Sequence, residues 1–131
     1  SELEDQASFE LSVELAVYAA AFLAKAVADH DPVGQTMARE CMTGTLELRV
    51  GEDGPCSHVQ MTPSGLLAQK GPASDPEAVI KFRSYEMAYA FFKDKLDILV
   101  SAVKGDIRLI GLVPLVEGVG HLLERANEYV G

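Results

Sequence analysis

The chain has 131 residues, the length of one ordinary domain, so it can bury a core without a disulfide framework or a structural metal. Its formal net charge of -9 argues against a nucleic-acid partner, which needs clustered Lys and Arg, and against tight docking on anionic lipid. Cys41 and Cys56 form no CxxC pair and no charged-then-apolar leader opens the chain, so a cytoplasmic, reducing setting is expected.

Ser8 to Asp29 lacks Gly and Pro and is rich in Ala, which predicts a long helix. Phe9, Val13, Ala16, Ala20, Leu23 and Val27 form one apolar stripe at helical spacing, expected to be buried. Leu11, Leu15, Tyr18 and Phe22 form a second stripe on roughly the opposite side, with Glu10, Glu14 and Lys25 between the two. Two apolar faces imply cover on both sides. One cover is the chain's own domain; the other is expected to be a second copy, giving a homodimer through Leu11, Leu15, Tyr18 and Phe22. The competing role for that stripe is to cap a cavity mouth or touch a membrane briefly. Stable membrane insertion is not expected, since the apolar run Leu15 to Ala24 is shorter than the about 20 residues a span needs.

Asp31-Pro32-Val33-Gly34 stops this helix, and a shorter helical piece follows over Gln35 to Cys41. After Gly44 the period changes to two. Leu46, Leu48 and Val50 alternate with polar residues, as do Val59 and Met61, and Pro63-Ser64-Gly65 turns into a third strand over Leu66 to Lys70. These runs predict an antiparallel meander. Ala78, Ile80 and Phe82 predict a fourth strand, with Ser84 as N-cap of the helix after it. A further helix carries Leu96, Leu99, Val100 and Val103 and ends at Gly105. Ile107 and Leu109 mark a fifth strand, and Pro114 opens a terminal helix whose buried stripe includes Leu115, Val116, Val119, Leu122, Leu123 and Ala126.

No catalytic constellation is visible. His30, His58 and His121 are scattered without metal-ligand spacing, Thr62-Pro63-Ser64-Gly65 is not a nucleophile elbow, and Gly118-Val119-Gly120 does not continue into a dinucleotide loop. No catalytic residue, metal or cofactor is expected, and the chain reads as a non-enzyme.

Gly44 to Val130, about two thirds of the chain, carries a family likeness. Its most specific part runs from Asp75-Pro76-Glu77 through the alternating strand to Phe82, then Lys95-Leu96-Asp97, then Gly105-Asp106-Ile107-Arg108-Leu109-Ile110-Gly111. With Met61-Thr62-Pro63-Ser64-Gly65-Leu66, this order and spacing resembles the sterol-carrier-protein-2-like (SCP2) lipid-binding domains. Asp94 departs from the family's frequent Gly before Lys-Leu, and the long Ala-rich helix at the start is not part of the pattern.

The resemblance implies an α+β fold: a five-stranded, mostly antiparallel sheet covered by helices, here with a long N-terminal helix. It divides the chain into a helical segment over 1–43 and a sheet-and-helix region over 44–131 within one domain. Family members hold sterols, fatty acyl chains or phospholipids in an apolar tunnel and do no chemistry alone, though the domain also occurs fused to enzymes. Some bacterial members bind isoprenoid intermediates of ubiquinone synthesis. The expected function is therefore carriage of a lipid or other apolar small molecule. Phe91, Phe92, Leu96, Leu99, Val103, Leu112, Leu115, Val116 and Val119 are the expected cavity lining, since the last helices carry more apolar surface than one sheet face covers. Gly118 and Gly120 each cost about 1 kcal/mol relative to Ala inside a helix, which implies room for a ligand or a close neighbour. The alternative is a dimerising accessory module with the same fold and a filled cavity.

Overall fold

A computed structural model describes residues 1–130. The first helix, α1, spans Glu2–His30 and is capped by Ser1 and Glu4 in a reciprocal capping box. That cap starts the helix at Glu2 rather than Ser8. Asp31 ends α1 with extended backbone (φ -87°, ψ 127°) and caps the start of α2, Pro32–Glu40, accepting from the Gly34 amide at 2.7 Å. The Asp-Pro stop is therefore a corner shared by two helices, with Pro32 in the first turn where its missing N–H costs nothing.

Five strands follow the expected periods: β1 Gly44–Val50, β2 Cys56–Thr62, β3 Gly65–Lys70, β4 Ala78–Phe82 and β5 Ile107–Gly111. The sheet order is β3-β2-β1-β4-β5. The β1-β2-β3 meander is antiparallel, β4 runs parallel to β1, and β5 closes antiparallel on β4. Between β4 and β5 lie α3, Tyr85–Lys93, and α4, Ile98–Val103; α5 spans Val113–Asn127 with Pro114 in its first turn. At the α3–α4 turn Asp94 keeps a negative φ and Lys95 takes the left-handed one (φ 52°).

Helices α1 and α5 lie side by side on one face of the sheet, α1 over β2 and β3 and α5 over β1 and β4, with α2 bridging the two. Leu46, Leu48, Val50, Val59, Met61, Ile80 and Phe82 point into this layer and are buried. The opposite sheet face carries Gln60, Leu67, Gln69 and Arg108 exposed to solvent.

The buried stripe of α1 differs from the expected one. Val13, Val17, Ala20, Ala21, Ala24, Val27 and Ala28 are buried, while Phe9, Ala16 and Leu23 are only partly so. The helix turns its smallest side chains to the sheet, so its backbone approaches closely; the Ser57 hydroxyl of β2 donates to the Val17 carbonyl at 2.7 Å. By length and composition α1 could cross a membrane, yet this face is packed on the sheet.

Candidate functional site: an apolar groove between α1 and α5

Alanines open a groove along the α1/α5 seam. On α1, Ala16, Ala19 and Ala20 face Leu123 and Ala126 of α5, with Phe92 closing one end, around a crevice of about 110 Å³. Toward the α1–α2 corner the seam widens to about 410 Å³ between Ala26, His30, Pro32 and Tyr129. Leu23 and Ala126 line both parts, so the two adjoin. The wide part lies within the range of small-molecule pockets, about 300–1,000 Å³.

A buried charge tie closes the wide end. Asp31 is 6% exposed and accepts from Arg125 Nε and Nη2, both at 3.0 Å, from the Gly34 amide and from the Tyr129 hydroxyl. Those bonds, the Arg125 ones first, hold its carboxyl well below the usual carboxylate range and raise the Tyr129 phenol in turn. With every acceptor direction used, Asp31 is a clamp between the α1–α2 corner and α5. His30 beside it is exposed. Burial pushes the Cys41 and Cys56 thiols up from their ordinary values, the reverse of what a nucleophilic cysteine requires.

The residues expected to line a cavity are distributed over three environments. Phe91, Leu115, Val116 and Val119 are buried in the core between α5 and the sheet, and Leu96 packs partly buried against them. Phe92 lies on the α1/α5 groove. Leu99 and Val103 on α4 and Leu112 before α5 are solvent-exposed, Val103 by 89%. Leu99 and Val116 meet at a cleft of about 50 Å³ between α4 and α5 beside Asp97, His121 and Glu124, where desolvation raises the Glu124 carboxyl. The two helical glycines admit close neighbours: a Cβ on Gly118 would meet Cys41 Sγ at 2.3 Å and one on Gly120 would meet Ile98 Cδ1 at 2.8 Å. Sequence reasoning missed Ala16, Ala19 and Ala126 as groove residues; alanines on a helix look like propensity rather than vacancy.

No protein-family model matches the sequence, and no curated protein matches it. Solved structures do. A UbiJ-SCP2 ubiquinone synthesis protein superposes with a TM-score of 0.62 at 13% identity, covering 89% of this chain and 95% of that one. A crystal structure of sterol carrier protein 2 gives 0.62 at 18% identity, with 85% and 95% covered. Palmitated SCP2L2 from Aedes aegypti gives 0.55 at 20%, with 76% and 86% covered. The fold is that of the sterol carrier protein 2 domains. In this SCP2-like fold the helix layer borders both the core and the α1/α5 seam.

Proposed function

We propose that the chain is a non-enzymatic carrier that holds an apolar tail along the α1/α5 seam. The observation that carries this reading is a pair of adjoining apolar pockets along the α1/α5 seam in an SCP2-like helix layer. Similar folds include a structure of palmitated SCP2L2, which supports an acyl-type ligand. The narrow part at Phe92 takes the end of the tail, and the wide part places a polar head near His30 and Tyr129. Fuller insertion takes the tail past Phe92 among Phe91, Leu115 and Val119, which requires α5 to move away from the sheet. Soluble transfer between membranes, without stable insertion, fits a net charge of -9.

Native mass spectrometry of the gently extracted chain tests it, expecting a co-purified or added lipid in one-to-one complex. Failure of sterols, fatty acids and isoprenoids alike to bind overturns it. Ala19→Trp fills the groove at an exposed position, so it abolishes binding while changing stability by no more than about 0.5 kcal/mol.

A second reading, a dimerising module, is favoured by one observation: Leu11, Leu15 and Phe22 are 54%, 56% and 44% exposed on the outer face of α1. Light scattering at micromolar concentration tests it, and a monomeric mass overturns it.

A further inference from the structure

The face of the sheet opposite the groove holds a cation cluster that lipid carriage does not use. Arg49, Lys81, Arg83 and Arg108 supply four of the chain's 11 Lys and Arg residues. The register explains why they meet: Arg49 of β1 pairs with Lys81 of β4, and Lys81 with Arg108 of β5. Side chains directly opposite on one face have Cβ atoms about 5 Å apart, and Arg83, one residue past the end of β4, lines the same cleft as Lys81. Lys81, Arg83 and Arg108 line a cleft of about 460 Å³, rimmed by Gly51 and Gly105, which send no side chain into it.

The local charge balance is positive in an acidic protein. Glu47 pairs with Arg49 at 2.7 Å, and Glu52, on the β1–β2 turn, pairs with Lys81. Among the described residues neither Arg83 nor Arg108 has an ion-pair partner, although Asp106 lies opposite Arg83, whose amide donates to its carbonyl at 3.0 Å, and two residues before Arg108. Four cations thus share two ion-paired carboxylates, with Asp106 as a third acidic group at the edge of the cluster. Glu47 is buried and also accepts from the Ala73 amide at 2.8 Å, so it stays with Arg49. The Glu52 side chain is 83% exposed, and Lys81, then Arg49 and Arg108, hold its carboxyl below the ordinary value. It is an exposed carboxylate resting on a cation site.

We propose that this cleft binds a phosphate-bearing small molecule, with Arg83 and Arg108 as its anchors and Lys81 as the third contact once Glu52 swings away. Guanidinium forks match phosphate oxygens in geometry, and Arg83 and Arg108, free of ion pairs among the described residues, present two such forks to the cleft. The cleft is recessed and the chain around it is acidic, so a soluble phosphate compound fits better than a flat anionic bilayer. The site lies on the far side of the sheet from the groove and does not depend on the lipid reading.

Calorimetric titration of the full chain in low-salt buffer with inorganic phosphate, then pyrophosphate, tests the site. The expected result is saturable one-to-one binding, stronger for pyrophosphate and weakened by added salt. Arg83→Gln and Arg108→Gln should each weaken it by about tenfold or more, Arg108→Lys less so, and Glu52→Gln should tighten it several-fold. In a 15N-labelled sample the Gly51 and Gly105 amide signals should move during titration of the unmodified chain, a readout that survives if a variant misfolds. Co-sedimentation with phosphatidic acid vesicles, lost in the double Arg variant, would assign the phosphate to a lipid headgroup; binding of soluble phosphate without vesicle binding assigns it to a soluble compound. No saturable binding, or binding that Arg83→Gln and Arg108→Gln together leave unchanged, overturns the proposal.

Discussion

Helices α1 and α5 share one face of the sheet and bury opposite kinds of side chain. Helix α5 packs Leu115, Val116, Val119, Leu122 and Leu123 inward, as an amphipathic helix of its composition should. Helix α1 packs Ala and Val inward and leaves Leu11, Leu15 and Phe22 outside. Side-chain size, as well as hydrophobicity, decides which face meets a sheet. A helix lined with Ala and Val can sit close, as the Ser57–Val17 hydrogen bond records. Where that small-residue surface reaches the α5 side, it leaves the seam unfilled, and there the groove lies.

The comparison breaks most sharply in the α5 core. Leu115 is fully buried, so Leu115→Ala should cost about 2–5 kcal/mol, measured by denaturant unfolding. A cost below about 1 kcal/mol would mean that α5 is already loosely packed there, and would strengthen the reading in which a ligand tail enters beneath it. On α1 the damaging change runs the other way. Ala24 is fully buried against its neighbours, so Ala24→Leu should cost about 1–3 kcal/mol through overpacking. A neutral Ala24→Leu would show that α1 can lift from the sheet at little cost.

Much of this architecture was legible in the sequence. Alternation at Leu46-Leu48-Val50, Val59-Met61 and Ala78-Ile80-Phe82 marked three strands, and Pro63-Ser64 and Pro114 marked their turn and helix start. The inward face of α1 was legible in part: Val13, Ala20 and Val27 of the expected stripe are buried and Leu11, Leu15 and Phe22 lie outside, but the face is centred on Val17, Ala21 and Ala24, because periodicity does not rank apolar residues by size. The groove was illegible for a further reason: its walls come from Ala16 on α1, Phe92 on α3 and Ala126 on α5, segments that only the folded chain brings together. The Asp31–Arg125 tie joins residues 94 positions apart and left no local signal. The cations at Arg49, Lys81 and Arg108 are visible one by one in their strands; only the parallel β1–β4 and antiparallel β4–β5 registers together put them in a row.

That tie gives the two helices a shared pH dependence. Arg125, then Tyr129 and the Gly34 amide, hold the Asp31 carboxyl below its ordinary value. A carboxyl whose folded value is depressed stabilises the fold fully above its unfolded value, about 3.9, and loses that contribution as pH falls through the folded value. Thermal melts should therefore show stability falling below about pH 4. Asp31→Asn should melt lower at neutral pH and show a shallower acid slope, since it leaves Arg125 without its buried partner. An Asp31→Asn variant with the same acid slope as the unmodified chain would place the pH dependence elsewhere.

The smallest expected effect on stability belongs to the outer face of α1. Leu11, Leu15, Tyr18 and Phe22 follow a four-three-four spacing, the repeat of a coiled-coil seam. That spacing is the same read in either direction, so under the dimer reading an antiparallel two-fold would set Leu11 opposite the partner copy's Phe22 and Leu15 opposite its Tyr18. Such self-complementarity is what an isologous interface requires. Tyr18 is held by its own chain, its hydroxyl donating to Glu14 at 2.8 Å and its ring lying under Lys70. Because Leu15 and Phe22 are exposed in the single chain, Leu15→Glu with Phe22→Glu should change its own folding stability by no more than about 0.5 kcal/mol per site. Under the dimer reading the same pair places four carboxylates in the seam, and light scattering should show the mass falling from dimer to monomer. A dimer that survives the substitutions would move the interface off this stripe.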